Sequence, residues 1–456
     1  MVHFFSYNHN GREHHFLWDI ESGSLHNVDR QAYLVAKDTY GSLDNDEKKE
    51  FSDIDDNTRK EITGELRELE ACGFLMSKTV SADDRKKIGE IKALCLLVCN
   101  DCNLRCKYCF ADEGTYHTSR KYMSEEVGKK AIDFLIANSG NRRSLEVDFF
   151  GGEPLMNFDT VKAIVAYARE REKVCEKKFS FTMTTNCLLL FKDKIDYLNE
   201  EMDNVVLSID GRKDIHNRVR KTVNGNDAYD VILNNALEFR KVRGNRSYYV
   251  RSTFTAYNLD FASDVLYLND LGFDQISMEP VVLPPSSDMA LKEEHLPKIK
   301  EEYTRLAREY IKRRKGDKWF NFFHFMIDLD NGPCIKKRLT GCGAGCEYLS
   351  VSPSGDLYPC HQFAEDSKYY MGNVLKDDFS TAVSEEFSRN IVTQKEKCSD
   401  CFAKYYCSGG CAANNTHFMG SMDKPYEISC EMMKKRLELS LAISAIERSL
   451  TDDKEL

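Results

Sequence analysis

Cysteine is the residue type whose placement in this chain first suggests chemistry. Of its seventeen cysteines, eleven bunch into three groups, at 102–109, 342–360 and 398–430. The stretch "CSDCFAKYYCSGGC" (398–411) carries four thiols at spacings x2, x5 and x3. Four thiolates so close together suit a metal, and taken alone they fit either a structural zinc ion or an iron–sulfur cluster. A second group, "CNLRCKYCF", sets Cys102, Cys106 and Cys109 at spacings x3 and x2, with no fourth cysteine close downstream. Three thiolates in one loop can hold three irons of a 4Fe–4S cube and leave the fourth open, as reactive metal sites do. The bland alternative is a zinc knuckle with a distant ligand. Cys72, Cys95, Cys99, Cys175 and Cys187 lie in apolar or helical surroundings and read as small buried hydrophobes.

Bulk properties narrow the setting. The net charge of −10 argues against a general nucleic-acid binder, which would need a basic face. The longest apolar run, "ALCLLVC" at 93–99, is far too short to span a bilayer. The start "MVHFFSYNHN" lacks the basic and apolar segments of an export signal, so a cytoplasmic location is expected, away from membranes. In a reducing cytosol, bunched thiols point to metal ligation rather than disulfides.

Several elements must position these groups. Residues 1–85 read as an acidic module: "VHFFSY" and "HHFLWDI" suggest a hairpin, and helical patterns follow near 28–39, 46–54 and 57–72. Strands before three short helices predict a winged-helix-like domain, and its acid-rich third helix favours a peptide over DNA. The linker "SKTVSADDRKKIGE" closes it. Over 90–285, predicted strands at 92–98, 145–150, 179–184, 205–209, 248–255 and 275–279 alternate with helical patterns such as 124–138, 158–175 and 228–243. Six such units predict an α/β fold with a parallel sheet, open or curled into a partial barrel, which binds ligands at the carboxyl ends of its strands. Residues 286–333 form a helical bridge, whose charged helix at 290–315 reads as a solvated face. Residues 334–430 are rich in Cys and Gly, and an amphipathic helix near 430–449 leads the segment 431–456.

The Cys-x3-Cys-x2-Cys spacing, with Tyr108 before the last cysteine, resembles the signature of the radical S-adenosylmethionine (SAM) enzymes. Other strand ends extend the likeness: "FFGGEP" after the second strand, "TTN" (184–186) after the third and "LSID" after the fourth. The resemblance implies that Gly151, Gly152 and Glu153 bind the methionine amino group and that Ser208 and Asp210 face the ribose. "HNRVR" (216–220) departs from the family's usual His-Asp-x-x-Arg, and Arg220 stands where a SAM contact would be expected.

The carboxyl-terminal cysteines resemble the SPASM domain, the auxiliary-cluster module of radical SAM peptide maturases. Its interleaved wiring implies that Cys398, Cys401, Cys407 and Cys430 hold one auxiliary 4Fe–4S cluster and Cys342, Cys360 and Cys411 the other. The fourth ligand of the latter is left to Cys346, Cys334, a substrate thiolate or none. With the SAM-binding cluster, three clusters are implied. Along nearly its whole length the chain is similar to the maturases of SCIFF peptides (six cysteines in forty-five residues), on "CNLRCKYCFADEGTYHT", "GPCIKKRLTGCGAGCEYLSVSPSGDLYPCHQF" and "VHFF…FLWDIESGSLHNVD". That likeness implies a ribosomally made, Cys-rich precursor peptide docked through its leader, and an electron donor such as flavodoxin or ferredoxin. The implied chemistry runs from SAM cleavage to a 5′-deoxyadenosyl radical, hydrogen abstraction from the peptide, and thioether formation by a peptide cysteine. Two alternatives stand beside it: a sulfatase-type maturase that oxidises a residue without crosslinking, and a non-enzymatic zinc-binding regulator.

Overall fold

The computed structural model describes residues 1–78, 90–330, 339–376 and 378–455. Most of the linker "SKTVSADDRKKIGE", and Cys334, lie outside the described residues. The amino-terminal module holds strands β1 (Val2–His9), β2 (Arg12–Asp19) and β3 (Leu25–Val28), then helices α1 (Arg30–Tyr40), α2 (Asn45–Ser52) and α3 (Asp56–Ala71). Asp29, Asp44 and Asp55 cap the three helices with their carboxylates. Alternation along β1 and β2 gives the sheet two apolar faces. Leu17 packs with Tyr33, Leu34 and Leu66 in the module's own core, whereas Phe5, Tyr7, Phe16 and Trp18 turn into the main core. Strand β3 was not expected, because its four residues are too few to show a period.

The central region contributes strands β4 (Ala93–Cys99), β5 (Leu104–Cys106), β6 (Ser144–Gly151), β7 (Lys178–Thr185), β8 (Asn204–Ser208), β9 (Arg220–Thr222), β10 (Tyr248–Phe254) and β11 (Gln275–Pro280). Six of them run parallel in the order β11-β10-β8-β7-β6-β4. Each lies within one residue of its predicted span at either end. Helices α4 (Glu125–Asn138), α5 (Phe158–Glu172), α6 (Lys192–Glu201), α7 (Lys213–Val219), α8 (Tyr229–Arg243) and α9 (Ala262–Asp270) lie in the crossovers. Leu94, Leu96, Val147, Phe149 and Phe181 pack in the main core, while their strand alternates turn to the opposite face. Strands β5 and β9 pair only with each other, Cys106 opposite Arg220, which ties the first cysteine loop to the chain after β8.

The parallel sheet continues beyond the six units. After α10 (Leu296–Arg314), β12 (Asn321–Phe322) adds to β11, β13 (Tyr348–Val351) adds parallel to β4, and β14 (Leu357–Tyr358) turns back on β13. Strand β4 is buried at every position. An open edge there would leave unpaired backbone groups in the interior, and β13 closes it. The Cys-rich segment is thereby joined to the central sheet.

Two expectations need correction. The charges of α10 are not simply a solvated face: Glu302 is buried, paired with Lys298 and Arg305, and Ile299, Tyr303, Leu306 and Tyr310 are buried with it as the helix packs on the terminal helix Glu427–Glu455. Of the five supposed core thiols, Cys95, Cys99 and Cys187 are buried, Cys175 is half-buried, and Cys72 is exposed because it caps α3 at the surface.

Candidate active site

The carboxyl ends of the parallel strands meet the first cysteine loop. The glycines after β6 make that approach possible: a Cβ on Gly152 would lie 1.9 Å from the Asp101 carbonyl oxygen, and Gly151, at φ +126°, would place one 2.4 Å from that of Cys99. Glu153 follows, almost wholly buried. Its Oε1 accepts from Thr185 Oγ1 at 2.7 Å and Leu155 N at 3.1 Å, and its Oε2 accepts from Asn186 N at 2.7 Å. Burial outweighs these three donors and pushes its pKa up to about 7.

Across the loop, Tyr108 donates to Asp210 Oδ2 at 2.5 Å. Arg220 grips the same carboxylate through Nε at 2.8 Å and Nη2 at 3.2 Å, and the Thr253 amide donates to Oδ1 at 3.0 Å. Burial would raise the Asp210 pKa, but the Arg220 guanidinium overcomes it and holds the carboxyl below its usual range. Both Asp210 oxygens are thus engaged by protein groups. Ser208, by contrast, borders the open cavity, as do Tyr108, Gly151, Gly152 and Glu153.

That cavity measures about 780 Å³. Cys102, Cys106 and Cys109 stand at one end, and Cys407, Cys411 and Cys430 border it elsewhere. The tertiary structure brings thiols near enough to sense one another as like charges. Cys102 senses Cys106 and Cys109; Cys360 senses Cys411 and Cys342; Cys430 senses Cys407, Cys398 and Cys401. Burial and this repulsion push Cys360 and Cys430 up to about 12 as free thiols, so a cation is what would hold them as thiolates. The last set encloses a cavity of about 350 Å³, and the buried Lys395 ammonium stands against its thiols. Among the described residues, no three His, Cys, Asp or Glu side chains converge at the spacing of a single metal ion. All-thiolate sets beside glycine-permitted backbone fit iron–sulfur clusters, and a carboxylate beside an open loop fits an amino-acid ammonium. Cys346 lies in an apolar cluster against which Cys360 packs, and its Sγ donates to the Ser384 carbonyl at 3.5 Å.

Other cavity groups escaped the sequence reading. Glu279, near the end of β11, has His324 Nε2 3.3 Å away, and Arg436 Nη1 donates to His324 Nδ1 at 2.9 Å. Burial would raise the Glu279 pKa, but His324, Arg251 and Arg436 outweigh it and keep the carboxylate ionised. His361, beside Cys360, packs against Phe150 and Phe110, and its burial pushes its pKa down to about 4. The strand-end rule could have found Glu279, next to last in β11, but not Arg251, in the middle of β10. His324, His361 and Arg436 carry no such signal.

Comparison with known proteins agrees with this arrangement. Residues 96–259 match the radical SAM superfamily and residues 342–402 an iron–sulfur cluster-binding (SPASM) domain. An uncharacterized protein of Methanocaldococcus jannaschii is 32% identical over 60% of this chain and 86% of its own length. The radical SAM cyclopropyl synthase TigE of Paramaledivibacter caminithermalis is 24% identical over 89% of this chain and 86% of its own. Among solved structures, anSMEcpe with bound AdoMet and Cp18Cys peptide superposes with a TM-score of 0.66 at 20% identity, covering 79% of this chain and 99% of that one. Motif, strand order and cavity converge: this chain belongs to the radical SAM superfamily and carries a SPASM domain.

Proposed function

We propose that this protein is a radical SAM maturase that forms thioether crosslinks in a ribosomally made, Cys-rich peptide. The observation that carries the reading is the single cavity bordered both by the Cys102–Cys109 loop with the strand ends and by thiols of the carboxyl-terminal sets. SAM and three 4Fe–4S clusters, when bound, supply hydrogen-atom abstraction and a sink for the electron left over.

The chain's own residues set the geometry. Glu153 offers a buried carboxylate for the SAM ammonium, and Gly151 and Gly152 let the backbone come close. Ser208 offers a hydroxyl to the ribose, while Asp210 steadies Tyr108 and Arg220 from behind. Cys102, Cys106 and Cys109 ligate the SAM-binding cluster; Cys398, Cys401, Cys407 and Cys430 ligate one auxiliary cluster. Cys342, Cys360 and Cys411 ligate the other and leave a position for a peptide thiolate. Metal ligation makes a thiolate available at neutral pH. The module of residues 1–85 takes the leader as an added strand, since β1 and β3 are the edges of its sheet. A small electron carrier such as flavodoxin or ferredoxin is the reductant, and the location is cytoplasmic; no helix among the described residues is long and apolar enough to cross a membrane.

A second reading, oxidation of a residue without a crosslink, needs a proton acceptor; Glu279 is an ionised carboxylate in the cavity, but the groups that hold its pKa down make it a weak base. Mass spectrometry of a Cys-rich precursor peptide after reaction separates the two. Loss of two hydrogens per crosslink with cysteines that resist alkylation supports the thioether; the same loss with every cysteine alkylable supports the second reading. Anaerobically purified protein should hold about twelve irons, and Ala at Cys102, Cys106 and Cys109 together should abolish SAM cleavage. Zinc in place of iron, or surviving cleavage, would overturn the assignment.

A further inference from the structure

The five residues between Cys401 and Cys407 are "FAKYY", and four of them touch the amino-terminal module. The ring of His3 stacks on Phe402 with centroids 3.6 Å apart, and Trp18 packs edge-on against Phe402 and tilted against Tyr406, 5.7 Å away. The polar contacts centre on Glu21, just past the end of β2. Its Oε1 accepts from Lys404 Nζ at 2.8 Å and its Oε2 from the Tyr405 hydroxyl at 2.6 Å. The side chains of Lys404 and Glu21 are 5% and 3% exposed, so this ion pair, spanning 383 positions of sequence, is sealed from water. Lys404 also donates to the Ser399 carbonyl at 3.2 Å and borders the cavity that Cys398, Cys401, Cys407 and Cys430 enclose. The turn that presents Glu21 is itself braced: Asp19 Oδ1 accepts from the Glu21 and Ser22 amides, and Oδ2 from the Ser77 amide.

We propose that Glu21 is a positioning residue for the carboxyl-terminal auxiliary cluster, acting through Lys404 and Tyr405 to hold the Cys401–Cys407 loop and to balance the buried Lys404 cation at the edge of its cavity. The inference rests on the assignment of those cysteines as cluster ligands. It gives the amino-terminal module a part in the redox site in addition to peptide binding. The electrostatics set a direction. A buried ammonium stripped of its carboxylate leaves uncompensated positive charge beside the cluster, which favours the reduced, more negative state. Glu21→Gln keeps the size of the side chain and removes the charge. Its amide oxygen can still accept one hydrogen bond, so the loop keeps a tether.

The test uses the full-length, cluster-loaded protein and reads iron content, electron paramagnetic resonance and redox titration of each cluster. Glu21→Gln should leave iron content near wild type, raise the midpoint potential of one auxiliary cluster and change its resonance signal. The signal of the SAM-binding cluster should stay as it was. In a Lys404→Met background the Glu21→Gln shift should vanish, because the cation through which it acts is gone. Unchanged potentials, equal shifts in all clusters, or the same shift without Lys404 would each overturn the proposal. If Glu21→Gln fails to load or fold, Tyr405→Phe, which removes only a hydroxyl, decides it: a changed signal from one auxiliary cluster supports the link, and an unchanged one refutes it. Wild-type protein lacking auxiliary iron would refute the ligand assignment itself, a separate outcome.

Discussion

Replacing Glu153 with Gln probes the proposed SAM site through charge alone. In the folded chain this carboxyl is almost wholly buried, and its pKa is raised from 4.5 to about 7. An acid with a raised folded-state pKa binds its proton more tightly folded than unfolded. The stability it confers is therefore fully present below the unfolded value of 4.5 and is lost as the pH rises through about 7. The shift corresponds to about 3 kcal/mol in the cluster-free protein. Glu153→Gln should flatten that part of the stability–pH profile. It carries its own cost, because the new amide group would face the Asn186 amide, donor against donor, for about 1–3 kcal/mol. The ligand side follows from the same carboxyl. An ammonium bound by ionised Glu153 makes SAM affinity fall about tenfold per pH unit below 7. Losing the charge-assisted contact costs about 1.5–3 kcal/mol, or roughly 10- to 100-fold in Kd. Isothermal titration of SAM into anaerobic, cluster-loaded protein between pH 5.5 and 8 measures both effects. A Glu153→Gln protein that binds SAM within twofold of wild type and with the same pH slope would refute the assignment.

Three further outcomes are expected. Arg220→Met strands the buried Asp210 carboxylate without its cation and should lower stability by about 3–5 kcal/mol, read as a fall in Tm of the cluster-free protein. Gly152→Ala drives a Cβ into the Asp101 carbonyl and should displace the first cysteine loop. Iron analysis should then show a loss of about four irons, with both auxiliary signals retained. Cys342→Ala should likewise remove the iron of one auxiliary cluster, whereas Cys346→Ala should leave iron content at the wild-type level; equal losses from the two variants would mean that Cys346 is a ligand.

Local pattern sufficed for the framework. The run "ALCLLVC" and five more apolar or alternating stretches declare the parallel strands, because a buried strand needs apolar side chains whatever its neighbours are. The cysteine loop, "FFGGEP" and "TTN" were equally readable, since the rule that parallel sheets bind ligands at strand ends gives each motif a place. Most of what completes the site was not readable, because its partners are remote in sequence. The pairing of β13 with β4 joins residues some 250 positions apart, and nothing in "EYLSV" names its partner. Arg220, Tyr108 and the Thr253 amide meet the Asp210 carboxylate only once the strands assemble. His324 meets Glu279 because β12, just before it, pairs with β11, and Arg436 reaches His324 from the terminal helix.

The sequence by itself determined the six alternating strand–helix units and the grouping of the cysteines along the chain, since these follow from side-chain period and cysteine spacing. Tertiary structure alone decided that Glu153 and Glu279 border the cavity while Asp210 does not, and that Glu21 of the first domain closes on Lys404 of the last. Those are matters of burial and charge balance between distant segments, and no local pattern encodes them.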